Sequence, residues 1–227
     1  RALLAGPSVT ITFPILAMFY YFLPKSSGLP IYSHRLSIIA FWSLVFGYLW
    51  TGAHHLMLTP VPEWIQTVAL AFSIFLIAPS WASVINGYYT MGGNWDKMKS
   101  NYLVKFFILG ITFYGLQTIQ GPTQAIRALS GFLHYTEYIP GHVHMGTMGW
   151  VTMVITASMY FMMAKISGRE IHSVKLANVH FWLILVGQLL FTVTLWIAGI
   201  VQGAMWKATN PDGSLTYTFL DSVAAMY

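Results

Sequence analysis

The sequence predicts an all-α fold, a polytopic membrane helical bundle of about six transmembrane helices, and three observations carry that prediction. Hydrophobic residues fill 56% of the 227 positions and charged residues only 7%, where a soluble domain carries about 25% charge. So few charges cannot cover a surface in water, so the surrounding medium is lipid. The apolar residues gather in six runs that read as crossings of ~30 Å of hydrocarbon, at about 20 residues each. The charged residues sit in the short connections between them.

Taken in order, the runs are Val9–Leu23, Leu36–Leu58, Trp64–Tyr89, Leu103–Leu129, His142–Ile166 and Leu176–Trp206. The first is short and contains Pro14, a helix-disfavouring residue. Polar, Gly- and Pro-containing links separate the runs: Pro24-Lys25-Ser26-Ser27-Gly28, Thr59-Pro60-Val61-Pro62, Gly92 to Lys97, Ser130 to Pro140, and Ser167-Gly168-Arg169-Glu170. None has the length or composition of an interdomain linker, so residues 1–227 read as a single transmembrane helical domain. The first residue is Arg rather than Met, and the chain reads as one piece of a larger subunit.

Charge sets the orientation. Alternate connections hold Lys25 with Arg35, then Lys97, Lys99 and Lys105, then Lys165, Arg169 and Lys175; the opposite set holds Glu63, Arg127 with Glu137, and Lys207 with Asp212. The tendency of basic residues to remain in the cytoplasm assigns the first set to that side. A net charge of +5 dispersed over loops excludes a nucleic-acid partner, which needs a basic face. The end of the second run and the start of the fifth then share the outer side, so His54-His55 and His142/His144 lie at similar depth.

Those histidines are the candidates for chemistry. With no cysteine in the chain and eight histidines, imidazole is the available metal ligand. Residues two apart on an α-helix point about 200° from each other, so His142 and His144 cannot grip one ion together. Each can instead give an axial nitrogen to a flat cofactor on its own side of the helix. Adjacent His54 and His55, about 100° apart, can both lean toward one copper or zinc ion. The plain alternative is a set of polar residues facing headgroups. Tyr48, seven residues before His55, falls on the same helix face and deeper in the membrane.

Tyr48-x5-His54-His55, Ala78-Pro79-Ser80-Trp81 with Ile85-Asn86-Gly87, and His134-Tyr135-Thr136-Glu137 leading into Gly141-His142-Val143-His144 together resemble the catalytic subunit of cbb-type cytochrome c oxidases, in the haem–copper oxidase superfamily. The resemblance extends to Leu36-Ser37-Ile38, Phe113-Tyr114-Gly115, His180-Phe181-Trp182 and the Gly199 to Trp206 segment. That family's subunit has about twelve helices, and this chain is similar to the sixth through eleventh.

The resemblance implies that His54 and His55 bind the active-site copper, that His142 is the axial ligand of a high-spin b-type haem, and that His144 is one axial ligand of a low-spin b-type haem. It implies that Tyr48 is the catalytic tyrosine, that His134 lies near the haem propionates, and that Tyr20, Ser37, Asn86 and Tyr114 mark a proton route from the cytoplasm. It implies a terminal respiratory oxidase reducing O2 to water with electrons from cytochrome c, in the bacterial inner membrane with the histidine clusters toward the outer side. The partners it implies are the remaining helices of the subunit, or another chain supplying them, and membrane-bound c-type cytochrome subunits.

Three positions depart from the pattern. Leu4 stands where the family has its first copper histidine, Gln120 where a Glu is usual beside the haem ligand, and Ala40 where a His is common. They keep a second reading open, a diverged haem-binding homologue with an altered or lost copper site. A nitric oxide reductase-like enzyme is the third, and it calls for a glutamate near the metal; Glu63 and Glu137 both fall in loops.

Overall fold

The computed structural model describes residues 6–226; Leu4 lies outside the described residues. The expected bundle is what forms. Among the described residues, five helical stretches are long and apolar enough to cross a membrane: His34–Leu56, Glu63–Thr90, Tyr102–Ala125, Tyr138–Ser167 and Val174–Lys207. A sixth rod, α1 (Gly6–Ser27), runs through Pro14 and continues past Pro24, further than the first apolar run, and packs against its neighbours in the bundle. The chain is a multi-pass membrane protein.

Helix α2 (His34–Thr51) passes into a 3-10 turn, Gly52–Leu56. The third run divides into α3 (Glu63–Phe75) and α4 (Ile77–Thr90), joined at Leu76. Pro79 lies just beyond the joint, and its missing N–H and its ring disrupt the hydrogen bonding of the preceding turn. A short α5 (Lys97–Ser100) precedes α6 (Tyr102–Ala125), which stops at Ile126 before the short α7 (Arg127–Leu133). The fifth crossing is composite: α8 (Tyr138–His144), a π-helical segment Met145–Val151, and α9 (Thr152–Ser167). Helix α10 (Val174–Lys207) has 34 residues, about 51 Å at 1.5 Å per residue, so it projects beyond the hydrocarbon. The short α11 (Phe219–Ala224) folds back onto it.

Helix α6 is the axis of the bundle. It touches α1, α3, α4, α9 and the π segment, and buries Phe106, Phe107, Ile111 and Tyr114 almost completely. Small residues set the approach distances elsewhere. A side chain at Gly199 or Gly203 of α10 would collide with the backbone of Tyr138 or Phe132, so α8 and the end of α7 can lie directly against α10.

The two loop sets separated by charge do gather at opposite ends. At the lysine-rich end Lys97 Nζ donates to the Ser27 carbonyl, Asn101 to the Ser26 carbonyl at 2.7 Å, and Lys105 Nζ to Asn178 Oδ1 at 2.6 Å. Three helices begin there, each capped by a side-chain oxygen: Ser33 on α2, Asn101 on α6 and Ser173 on α10, which satisfies an amide that the helix start would leave unpaired. At the other end Arg127 pairs with Glu63 at 3.2 Å and donates to Thr67 Oγ1 at 2.7 Å.

A histidine centre at one end of the bundle

The 3-10 turn carries His54 and His55 and brings their rings edge to face, 4.2 Å apart. Their Nε2 atoms stand 2.9 Å apart. A neutral imidazole has one lone pair and one N–H, so two facing Nε2 atoms are comfortable only when they share a proton or a cation. His54 Nδ1 lies 2.8 Å from Ser73 Oγ of α3; with Nδ1–H donated to that hydroxyl, His54 Nε2 presents its lone pair. Metal–nitrogen bonds of ~2.0 Å to both atoms would meet near a right angle. No group of three His, Cys, Asp or Glu suited to a metal ion is present among the described residues.

His142 and His144 lie on α8, and the opposite-face expectation holds. His142 turns toward α6, its Nδ1 3.1 Å from Gln120 Oε1. His144 turns toward α10, its ring edge-on to Phe191 at 5.0 Å, and its Nδ1 lies 2.7 Å from the Pro140 carbonyl. In both, the acceptor fixes the proton on Nδ1 and leaves the Nε2 lone pair available to a metal. Metal-bound histidines characteristically donate their second N–H to a protein acceptor in this way, so these residues fit the axial positions of haem groups. Gln120 is itself held, its Nε2 donating to Tyr138 Oη at 2.9 Å.

The two clusters are neighbours. His54 lies within electrostatic reach of His142, and His55 of both His142 and His134. His134 stacks flat on Tyr135, with centroids 4.1 Å apart and planes 7° from parallel. Tyr135 has φ of 67°, a left-handed backbone that is uncommon for an aromatic residue and mildly strained. Buried Thr136 holds the bend by accepting from Tyr138 N at 3.3 Å and donating to the Leu133 carbonyl at 2.6 Å.

Tyr48 is half-buried on α2, edge-on to Phe13 at 6.1 Å, and close to Thr12 and to Tyr114. The expected same-face alignment with His55 is altered by the 3-10 turn. Four steps at about 120° instead of 100° rotate His55 by roughly 80° from where an unbroken α-helix would put it, about 60° off the line above the tyrosine.

The four residues of the expected proton route fall into two kinds. Tyr114 is fully buried and donates to Ser80 Oγ at 3.2 Å. The Tyr20 hydroxyl is buried without a partner, beside Ser83 and Asn86. It borders a cavity of about 450 Å³ between α1, α2 and α4 that is also lined by His34, Ser37 and Ser83. Ser37 Oγ donates to the His34 carbonyl at 2.7 Å. Asn86 instead uses both ends of its amide on the Ser33 backbone, accepting from N and donating to O at 2.9 Å each.

Sequence reasoning missed Ser73, Ser80 and Ser83. All three are buried, and Ser80, Ser83, Asn86 and Thr90 form one polar edge of α4. The available signal was their recurrence at helical spacing within an apolar run, and polar groups at membrane depth tend to be functional.

The family model described as Cytochrome C and Quinol oxidase polypeptide I matches residues 7–227. The chain is 44% identical over 218 residues to "Cbb3-type cytochrome c oxidase subunit CcoN1" of Stutzerimonas stutzeri, an alignment covering 96% of this chain and 46% of that protein. It is 40% identical to "Cytochrome c oxidase subunit 1" of Rhodobacter capsulatus, over 96% of this chain and 41% of that protein. A more distant relative is "Cytochrome c oxidase subunit 1" of Thermus thermophilus, 25% identical over 83% of this chain and 36% of that one. The chain thus spans less than half the length of these relatives. Matched along nearly all of its own length, it belongs to the cytochrome c and quinol oxidase polypeptide I family.

Proposed function

We propose that this chain forms the core of a terminal respiratory oxidase of the cbb type, reducing O2 to water with electrons from cytochrome c and taking up protons from the lysine-rich, cytoplasmic side. The observation that carries the reading is the common state of His142 and His144, each with Nδ1 on a carbonyl acceptor and Nε2 left for a metal, beside His54, whose Nδ1 meets the Ser73 hydroxyl. His142 would hold the high-spin b-type haem, His144 the low-spin b-type haem, and His54 with His55 the copper ion; bound there, these groups supply oxygen binding and electron transfer.

The chain's own residues do the rest. Gln120, Pro140 and Ser73 orient the imidazoles. Because His142 and His144 face opposite sides of α8, the two haems would be separated by the thickness of that helix. Tyr48 is the catalytic tyrosine, able to release a proton toward the His54-His55 corner, and His134 would lie near the haem propionates. Protons would gather in the cavity at Ser37 and Tyr20, with Asn86 clamping the start of α2 beside it, and move along buried hydroxyls to Tyr114. The remaining helices of the subunit, membrane-bound c-type cytochromes and lipid are its partners, and the bacterial inner membrane is its site, histidine centre outward.

A second reading rests on one specific observation: two imidazoles converge, and no third ligand joins them among the described residues. That leaves a haem-binding homologue with a reduced copper site. A nitric oxide reductase-like enzyme is less well served, since Glu63 is paired with Arg127. Metal analysis and reduced-minus-oxidised spectra of the purified complex separate these. Haem with copper supports the oxidase, haem without copper supports the diverged homologue, and the absence of both defeats every cofactor reading.

A further inference from the structure

The crossing Tyr138–Ser167 leaves α-helical hydrogen bonding at Met145–Val151, directly after His144. A π turn bonds five residues apart instead of four, so the carbonyls at its start point differently from those of an α-helix. On one side the widened turn is fitted to α6: a side chain at Gly146 would collide with Gln117, and one at Gly149 would come within 2.8 Å of Phe113. On the other side stands Gln188 of α10, only 3% exposed. Its Nε2 donates to the His144 carbonyl at 3.1 Å and to Thr192 Oγ1 at 2.6 Å.

The chemistry fixes which way the Gln188 amide faces, because a carbonyl oxygen can only be approached by the nitrogen. Its Oε1 is then buried with no partner. An unsatisfied buried acceptor is destabilising, and an apolar residue at this place in the helix would avoid it. The amide therefore earns its position through what the nitrogen does.

We propose that Gln188 is a positioning residue for His144: by bonding the carbonyl at the junction of α8 and the π turn, it sets the direction in which the imidazole leaves the helix. This rests on the haem reading of His144. Pro140 fixes the rotation of the ring through Nδ1; Gln188 fixes the backbone from which the ring hangs. The two restraints act on different bonds, so neither replaces the other.

The test uses the complete oxidase complex with Gln188→Met, which keeps length and volume and removes the donor. The expected result is normal haem content and unchanged CO binding at the high-spin haem, together with an altered low-spin EPR signal and a several-fold shift in the low-spin reduction equilibrium. A low-spin signal and equilibrium identical to wild type would overturn the proposal. Thr192→Val provides a second variant should Gln188→Met fail to assemble: it frees the amide from its other partner and predicts the same low-spin signature in weaker form, and an unchanged signature there would also overturn it. A wild-type complex without low-spin haem would defeat the underlying haem reading instead, and this is read before any variant is made.

Discussion

His142 Nδ1 and Gln120 Oε1 lie 3.1 Å apart, so the imidazole donates to a neutral amide. A charged acceptor makes a hydrogen bond roughly twice as strong and makes the imidazole a more basic metal ligand. Gln120→Glu is therefore expected to lower the high-spin haem potential, by about 60 mV for a tenfold change in a one-electron equilibrium. A redox titration at the high-spin band checks this; an unchanged potential would remove Gln120 from the site's chemistry.

Ser73 has the corresponding position behind His54. Ser73→Ala leaves Nδ1 without its acceptor and frees the ring to adopt the other tautomer. Copper affinity is expected to fall by about 10–100-fold, the usual effect of losing such a supporting bond. Titration of the metal-depleted complex with copper measures it, and equal affinity in the two proteins argues against ligation by His54.

Asn86 bonds both polar groups of the Ser33 backbone, at the residue that caps α2. Asn86→Leu leaves the half-buried Ser33 N–H unpaired, at about 1–3 kcal/mol, while the Ser33 carbonyl keeps the Ser37 N–H. The thermal midpoint of the complex should drop clearly. If stability is intact and only proton uptake slows, the clamp assignment is wrong and the residue acts solely in the conduit.

Gly199 lies where any side chain would meet the Tyr138 backbone. Gly199→Ala must push α8 from α10, and overpacking of this kind costs about 1–3 kcal/mol. Because α8 carries His142 and His144, haem content should fall along with the melting temperature. A variant that melts earlier but retains both haem bands would separate that contact from ligand placement.

Outside the membrane, the Thr218 and Asp221 side chains close a capping box on α11. Hydrogen bonds from the Thr218 hydroxyl and backbone hold the Asp221 carboxyl below its ordinary value. The folded value being the lower one, the cap contributes fully above the unfolded pKa of about 3.9 and is lost as pH falls through the depressed folded value. Amide protection over residues 218–225, relative to the unstructured chain at the same pH, should fall on acidification below pH ~4 in wild type, and Asp221→Asn should show low protection at every pH. Equal protection of the two proteins near neutrality would show that the box is not what orders α11.

Much of this was legible in the chain. Low charge in long apolar runs specifies crossings, and the alternation of Lys25, Lys97 and Lys105 with Glu63 and Arg127 specifies which ends meet; both rest on solvation, which depends on composition more than on detail. The opposed faces of His142 and His144 follow from helical pitch alone. Local changes of pitch were not legible. The joint at Leu76, the 3-10 turn under His54 and the π turn after His144 depend on how neighbouring helices press against glycines and prolines, which no single run encodes. The supporting groups were hidden for a similar reason: a serine such as Ser73 or Ser80 is unremarkable in sequence until another helix brings a ring nitrogen or a phenol to it.

The joint at Leu76 has one more consequence. Ser73, which supports the paired imidazoles, lies on one side of it, and Ser80, Ser83 and Asn86, which line the hydrophilic edge, lie on the other. A crossing articulated at that point can absorb a small shift of one half without transmitting all of it to the other. The support of the imidazole corner and the hydroxyl row can therefore be retuned separately by mutation, although both are built from a single pass of the chain.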